Sequence, residues 1–191
     1  MLDYETDGLS PYEGARPFLA GMEDEKGRVL LTRPGTGDWG KVRRLVEDPN
    51  RVKVCHNVKF EWKMSVHSGM RPAGEWRDTM GMAALVNEYA PSLSLGGLAG
   101  TYLKGRRAKD HGVRDWLDAN RNGYLKVAGR EPNYSDVPDG MISGYLENDL
   151  DCMMMLNWVF WPEVRSNYGE AFRIESDLVP VVSEIEDRGV R

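Results

Sequence analysis

The chain has 191 residues, 41% hydrophobic and 29% charged, with a formal net charge of −5. That balance fits one domain with its own core and excludes a disordered or fibrous chain. The longest apolar-looking stretch, 153–161, is interrupted by Asn157 and is too short to span a bilayer, and the opening Met1-Leu2-Asp3-Tyr4-Glu5 lacks the basic and apolar regions of a secretory signal. Cys55 and Cys152 have no metal-type spacing and fit a reduced cytosolic compartment.

In chain order, Leu2 to Thr6 reads as a short strand, followed by the turn residues Asp7-Gly8 and Ser10-Pro11. Pro17 to Met22 and Arg28 to Thr32 read as a hairpin around the charged turn 23–27. Val42, Leu45 and Val46 give 38–47 a helical spacing. A short strand is predicted over 52–55, a helix over 58–67 and another over 79–88. Ser94 is placed to cap a helix running to about Lys104. A further helix is predicted over 112–120, and 123–138, with its Gly, Pro, Asn and Ser, reads as mostly loop. Two long helices fill the rest from about Asp139, with a break near 162–169. A strand hairpin followed by alternating helices and strands predicts an α/β domain with a mixed sheet.

The negative net charge does not suggest a nucleic-acid binder, but the charge is unevenly spread. Lys104, Arg106, Arg107, Lys109, Arg114, Arg121, Lys126 and Arg130 stand against Asp110, Asp115 and Asp118: eight positive, three negative, a surplus of five. Such a stretch reads either as a footprint for a phosphate backbone or as a solvated helical face. The Met153-Met154-Met155 run and Trp39, Trp62, Trp76, Trp116, Trp158 and Trp161 read as packing residues. Trp116, inside the basic stretch, is also a candidate for stacking a base.

Three acidic clusters carry the chemistry. Asp3 and Glu5 lie two apart on the first strand and so point to one face. Side by side they repel unless a cation lies between them, and hard divalent ions take such oxygen ligands; an exposed strand face can carry the same pair without function. His56-Asn57-Val58-Lys59-Phe60-Glu61 falls where a short strand ends and a helix begins. Asn57 can cap that helix and Glu61 lies one turn in, at the carboxyl end of a strand, where α/β sheets place ligands. Tyr145 and Asp149 are four apart and share a helix face, beside an apolar stripe of Leu146, Leu150, Met153 and Leu156.

In this order the clusters resemble the three motifs of the DEDDy 3′-5′ exonuclease superfamily. Asp3-Tyr4-Glu5-Thr6-Asp7-Gly8-Leu9 resembles the first, His56 to Glu61 the second and Tyr145 to Asp149 the third. The segments Asp78-Thr79-Met80 and Ser94-Leu95-Gly96-Gly97-Leu98-Ala99 are similar to the stretches that follow the second motif. The tail from Glu175 to Arg191 resembles the helix that joins exonuclease to polymerase in family A (DNA polymerase I-like) polymerases. The related group with His in place of Tyr would carry it at position 144, which here is Gly144.

The resemblance implies an RNase H-like (DnaQ-like) fold with a mixed five-stranded sheet flanked by helices. It implies an exonuclease domain over 1–175 and, over 176–191, the start of a connecting helix leading into a polymerase domain of the same longer chain. It further implies a proofreading nuclease that uses two divalent ions, Mg²⁺ or Mn²⁺, to release nucleoside monophosphates from a single-stranded DNA 3′ end, in the cytoplasm of a bacterial cell or a phage-infected host and with no membrane partner. Asp3, Glu5, Glu61 and Asp149 would be the metal ligands, Tyr145 would orient the attacking water, and Thr6, Leu9, Asn57 and Phe60 would contact the terminal nucleotide. The family usually has Asp where this chain has Glu61, whose carboxylate reaches about 1.5 Å further, one C–C bond. An RNase D-like nuclease acting on RNA, and a catalytically weak domain that only braces a polymerase, are the alternatives.

Overall fold

The computed structural model describes residues 1–104 and 112–189. Arg106, Arg107, Lys109, Asp110 and His111 of the basic stretch lie outside the described residues. Three strands form an antiparallel sheet in chain order: β1 (Leu2–Thr6), β2 (Pro17–Glu23) and β3 (Val29–Thr32). Two more, β4 (Lys53–Cys55) and β5 (Trp76–Asp78), pair in parallel. The expected five-stranded sheet is therefore found as a three-stranded and a two-stranded ladder. β1 packs beside β4 without a hydrogen-bonded ladder.

Helices surround the sheets. α1 (Trp39–Glu47) and α2 (Val58–His67) cover one side, where Leu2 and Tyr4 of β1 meet Val42, Val46, Val58 and Met64 in one cluster. α3 (Thr79–Val86) and α4 (Leu95–Tyr102) pack on α6 (Asp139–Asn167). α5 (Val113–Val127) precedes α6, and α7 (Gly169–Asp187) lies against α2. Ser94 caps α4 by accepting from the Gly97 amide at 3.2 Å, as expected.

Two expectations fail. α5 continues through Gly123 to Val127 where a loop was expected, and Tyr124 packs edge-on against Trp116 with ring centroids 6.2 Å apart. That contact offsets the roughly 1 kcal/mol helix cost of Gly123. The predicted break near 162–169 is found at Tyr168, between α6 and α7; α6 continues past Pro162, with Phe160 and Val164 on either side buried in the core. Trp158 is 61% exposed, unlike the other five tryptophans. The strand β5 was not among the predicted elements.

Gly21 sets how close α6 comes to the sheet. It pairs with Asp3 across the β1–β2 ladder. A Cβ there would lie 2.8 Å from Leu150 and 2.9 Å from Leu146. Only a bare backbone lets the face of α6 that also bears Asp149 press against the strand partner of Asp3. Gly21→Ala is expected to cost about 1–3 kcal/mol by overpacking, read as a lowered urea midpoint, and to reduce any activity that needs Asp3 and Asp149 together.

Candidate active site

β1 presents two chemically different faces. Leu2 and Tyr4 point into the core, and the Tyr4 hydroxyl lies 3.0 Å from Ser65 Oγ on α2. Asp3 and Glu5 take the alternate positions. Ser65 and Glu61 are four apart on α2 and share a face, so the Tyr4–Ser65 contact turns Glu61 toward β1. There Glu61, only 2% exposed, shares a hydrogen bond with Asp3. From the other side α6 brings Asp149, which accepts hydrogen bonds from the Tyr145 hydroxyl and from Asn148 Nδ2, the latter at 3.5 Å. The Tyr145 ring is braced edge-on by Tyr134, with centroids 6.0 Å apart. A register shift between Glu5 and Thr6 interrupts the regular β1–β2 pairing beside the cluster, a common place for a bulge next to a site.

Carboxylates from three separate elements thus meet in a buried space. Burial raises the pKa of Glu5 to about 9, with the charges of Asp3 and Asp149 adding to it. Burial, then the charge of Asp149, raises Asp3 to about 8. Asp149 rises only to about 6, because burial is opposed by its bonds from Tyr145 and Asn148. Glu61 is pushed well above the usual carboxylate range by burial and by Asp3. Burial and the Asp149 charge raise the Tyr145 phenol as well, so it stays un-ionised at neutral pH.

Among the described residues, no trio of His, Cys, Asp or Glu is already drawn into a metal-ligand set. The site still fits a hard divalent cation on two counts. Its donors are carboxylate oxygens, the ligands such ions prefer. Glu61 Oε2 is also buried with no hydrogen-bond partner, a costly position that a cation would relieve.

The residues expected to touch a terminal nucleotide divide. Leu9, Asn57 and Phe60 line one groove of about 310 Å³. Leu9 is 87% exposed, so the fold gains nothing from it. Thr6 is absent from the groove lining and donates its hydroxyl to the Gly8 carbonyl at 2.7 Å, shaping the turn that presents Leu9. Asn57 sits in the left-handed region, at φ 69°, which Asn tolerates better than most residues. It does not cap α2 with its side chain as expected. Asp78 at the end of β5 does so instead, accepting from the Asn57 and Val58 amides at 2.9 and 3.1 Å. Within the basic stretch, Arg121 is paired with Glu131, and Arg130 with Asp136. Trp116 packs into the cluster around α6.

Sequence reasoning missed Asp78 and Tyr134 as supports of the site, and it missed two lysines in the groove, Lys59 and Lys63. The i,i+4 spacing of those lysines was the available signal.

Comparison with known proteins follows the same lines. The sequence matches the DNA polymerase A family of 3′-5′ exonucleases over residues 1–128. Two curated relatives are a DNA polymerase DpoZ of Salmonella phage PMBT28, 28% identical, and one of Vibrio phage phiVC8, 29% identical. Each match covers 100% of this chain but 31% of the relative. Among solved structures, NrnC of Brucella melitensis bound to pGG superposes with a TM-score of 0.75 at 16% identity, covering 98% of this chain and 84% of that one. NrnC with bound Mg²⁺ gives 0.71 at the same identity and coverage. These likenesses show a shared fold.

Proposed function

The chain belongs to the 3′-5′ exonuclease family of DNA polymerase A type, and from that membership we propose that it edits for a longer polymerase chain, releasing nucleoside monophosphates stepwise from a single-stranded or frayed DNA 3′ end. The observation that carries this reading is the meeting of Asp3, Glu5, Glu61 and Asp149, from three elements. Fully ionised, the four carboxylates carry four negative charges, which two divalent ions such as Mg²⁺ or Mn²⁺ would balance. Asp3, Glu5, Glu61 and Asp149 would hold them. Bound there, the ions would acidify a water and neutralise charge at the scissile phosphate.

The protein's own groups supply the rest. Tyr145, un-ionised and held by Asp149 and Tyr134, orients a water through its hydroxyl. Leu9 and Phe60 offer apolar surface to a terminal base, which suits contact without base-edge readout. Hydrolysis consumes one water, breaks the bond between phosphorus and the 3′ oxygen, and leaves a 5′-monophosphate and a shortened strand with a new 3′ hydroxyl. A mispaired end frays more readily and so reaches this groove more often.

α7 supports the reading that more chain packs here. Phe172, Val179 and Ser183 face inward, while Ile174, Leu178, Val181 and Ile185 form a second apolar row, 44–48% exposed, on the opposite face. A helix apolar on two sides is ordinarily covered on both. This chain spans about a third of its phage relatives, so the polymerase portion of the longer chain is the proposed cover.

The fold likeness to NrnC favours a second reading, action on RNA. Digestion of 5′-end-labelled single-stranded DNA and RNA of one sequence, with Mg²⁺ or Mn²⁺, separates the two. A ladder shortening stepwise from the 3′ end on DNA supports the first reading, and a ladder on RNA alone supports the second. Leu9→Ala is expected to leave the melting temperature unchanged and to slow release from single strands about tenfold; an unchanged rate would remove Leu9 from the substrate contacts.

A further inference from the structure

The groove that holds Leu9, Asn57 and Phe60 also holds Lys59 and Lys63, one turn apart on α2. Both ammonium groups converge on one carboxylate, that of Glu186 in the last turn of α7. Lys59 Nζ lies 2.8 Å from Oε1, and Lys63 Nζ engages Oε2. The Lys63 ammonium also stands 5.3 Å from the centroid of the Tyr12 ring. Asp187 also bears on Lys63 electrostatically, so two positive charges face two carboxylates, and a positive excess appears only when Glu186 withdraws. Cations beside aromatic surface are the means by which proteins follow a single strand without reading its sequence. A phosphodiester carries the same charge as a carboxylate and, like it, presents two oxygens to neighbouring donors.

We propose that Lys59 and Lys63, beside Tyr12, form a phosphodiester subsite for nucleotides upstream of the 3′ end, and that Glu186 fills this subsite in the free protein and yields it to an incoming strand. The inference rests on the exonuclease reading above. Glu186 can leave without releasing α7, because Phe172 and Ser183 remain buried and Asp187 is held separately by His67 at 3.2 Å. The rival account makes Glu186 a permanent strut between α7 and α2.

The test is the affinity of the full chain for fluorescein-labelled tetrathymidylate and dithymidylate, by anisotropy, with Ca²⁺ in place of Mg²⁺ and across a salt series. Glu186→Gln is expected to tighten tetrathymidylate binding about fivefold and to change dithymidylate binding little. Glu184→Gln makes the same charge change outside the groove and is expected to do neither. Lys63→Met is expected to weaken tetrathymidylate binding about fivefold and to lower the salt slope by about 0.7, the loss of one phosphate contact on a single strand. In the Lys59→Met/Lys63→Met background, Glu186→Gln is expected to have no effect. Unchanged or weaker binding by Glu186→Gln, with a lowered melting temperature, would overturn the subsite in favour of the strut. Should the wild-type chain bind neither oligonucleotide nor shorten labelled DNA, the exonuclease reading itself falls, and the subsite with it.

Discussion

Asp3→Asn is expected to abolish strand hydrolysis while making the metal-free chain more stable. Asp3 stands at the centre of the cluster, hydrogen-bonded to Glu61 and raised by the charge of Asp149. A bound ion lowers the barrier of such a reaction by several kcal/mol, and each ~1.4 kcal/mol is tenfold in rate. Turnover should therefore fall by about 10³-fold or more. The opposite sign is expected for stability. An amide of the same shape removes one charge from a crowded, desolvated group, which should stabilise the chain at pH 8 by about 2 kcal/mol, or about 4–8 °C in melting temperature. A variant that lost both activity and stability would show that Asp3 serves the fold, and one that kept activity would remove it from the site.

The second large effect concerns pH and metal. Folding raises the pKa of Asp3 to about 8, Glu5 to about 9 and Asp149 to about 6, and raises Glu61 as well. A carboxyl group whose folded pKa is raised holds its proton in the native state after the unfolded chain has released its own. Its contribution is full below the unfolded pKa, about 4, and is lost as pH climbs through the folded value. The metal-free chain should accordingly lose stability between about pH 5 and pH 9. Asp24, Asp136 and Asp187 shift downward and act only at more acid pH. Divalent cation should reverse the alkaline loss: at about a hundredfold excess over its dissociation constant it adds ~2.7 kcal/mol, or about 5–11 °C. Melting curves at pH 5.5, 7 and 8.5, with EDTA or Mg²⁺, check both signs. Flat stability across this range, with no response to Mg²⁺, would contradict the coupling of the four carboxylates.

Much of this site was legible because its chemistry is local in sequence. The spacing of Asp3 and Glu5 fixes a shared strand face, that of Tyr145 and Asp149 a shared helix face, and the bounds of β1 and α2 are those the sequence predicts. What brings the groups together is not local. The approach of α6 depends on a missing side chain at Gly21, and the entry of α2 depends on Asp78, 21 residues downstream of Asn57. Neither leaves a periodic trace. Gly123 misled for the complementary reason: it disfavours a helix by propensity, and the packing of Tyr124 on Trp116 overrides propensity. The Glu186 bridge to Lys59 and Lys63 spans more than 120 residues of chain and could not have been read from any one segment.

Glu61 stands where the resemblance to the exonuclease motifs leads one to expect Asp. Its carboxylate reaches Asp3 and leaves one oxygen unpartnered, which the proposed cation would satisfy. The most direct test is anomalous diffraction from crystals of the chain grown with Mn²⁺. The account predicts anomalous peaks enclosed by Asp3, Glu5, Glu61 and Asp149, with Glu61 bound through the oxygen that now lacks a partner. A well-ordered crystal at saturating Mn²⁺ with no peak among these four carboxylates would contradict it.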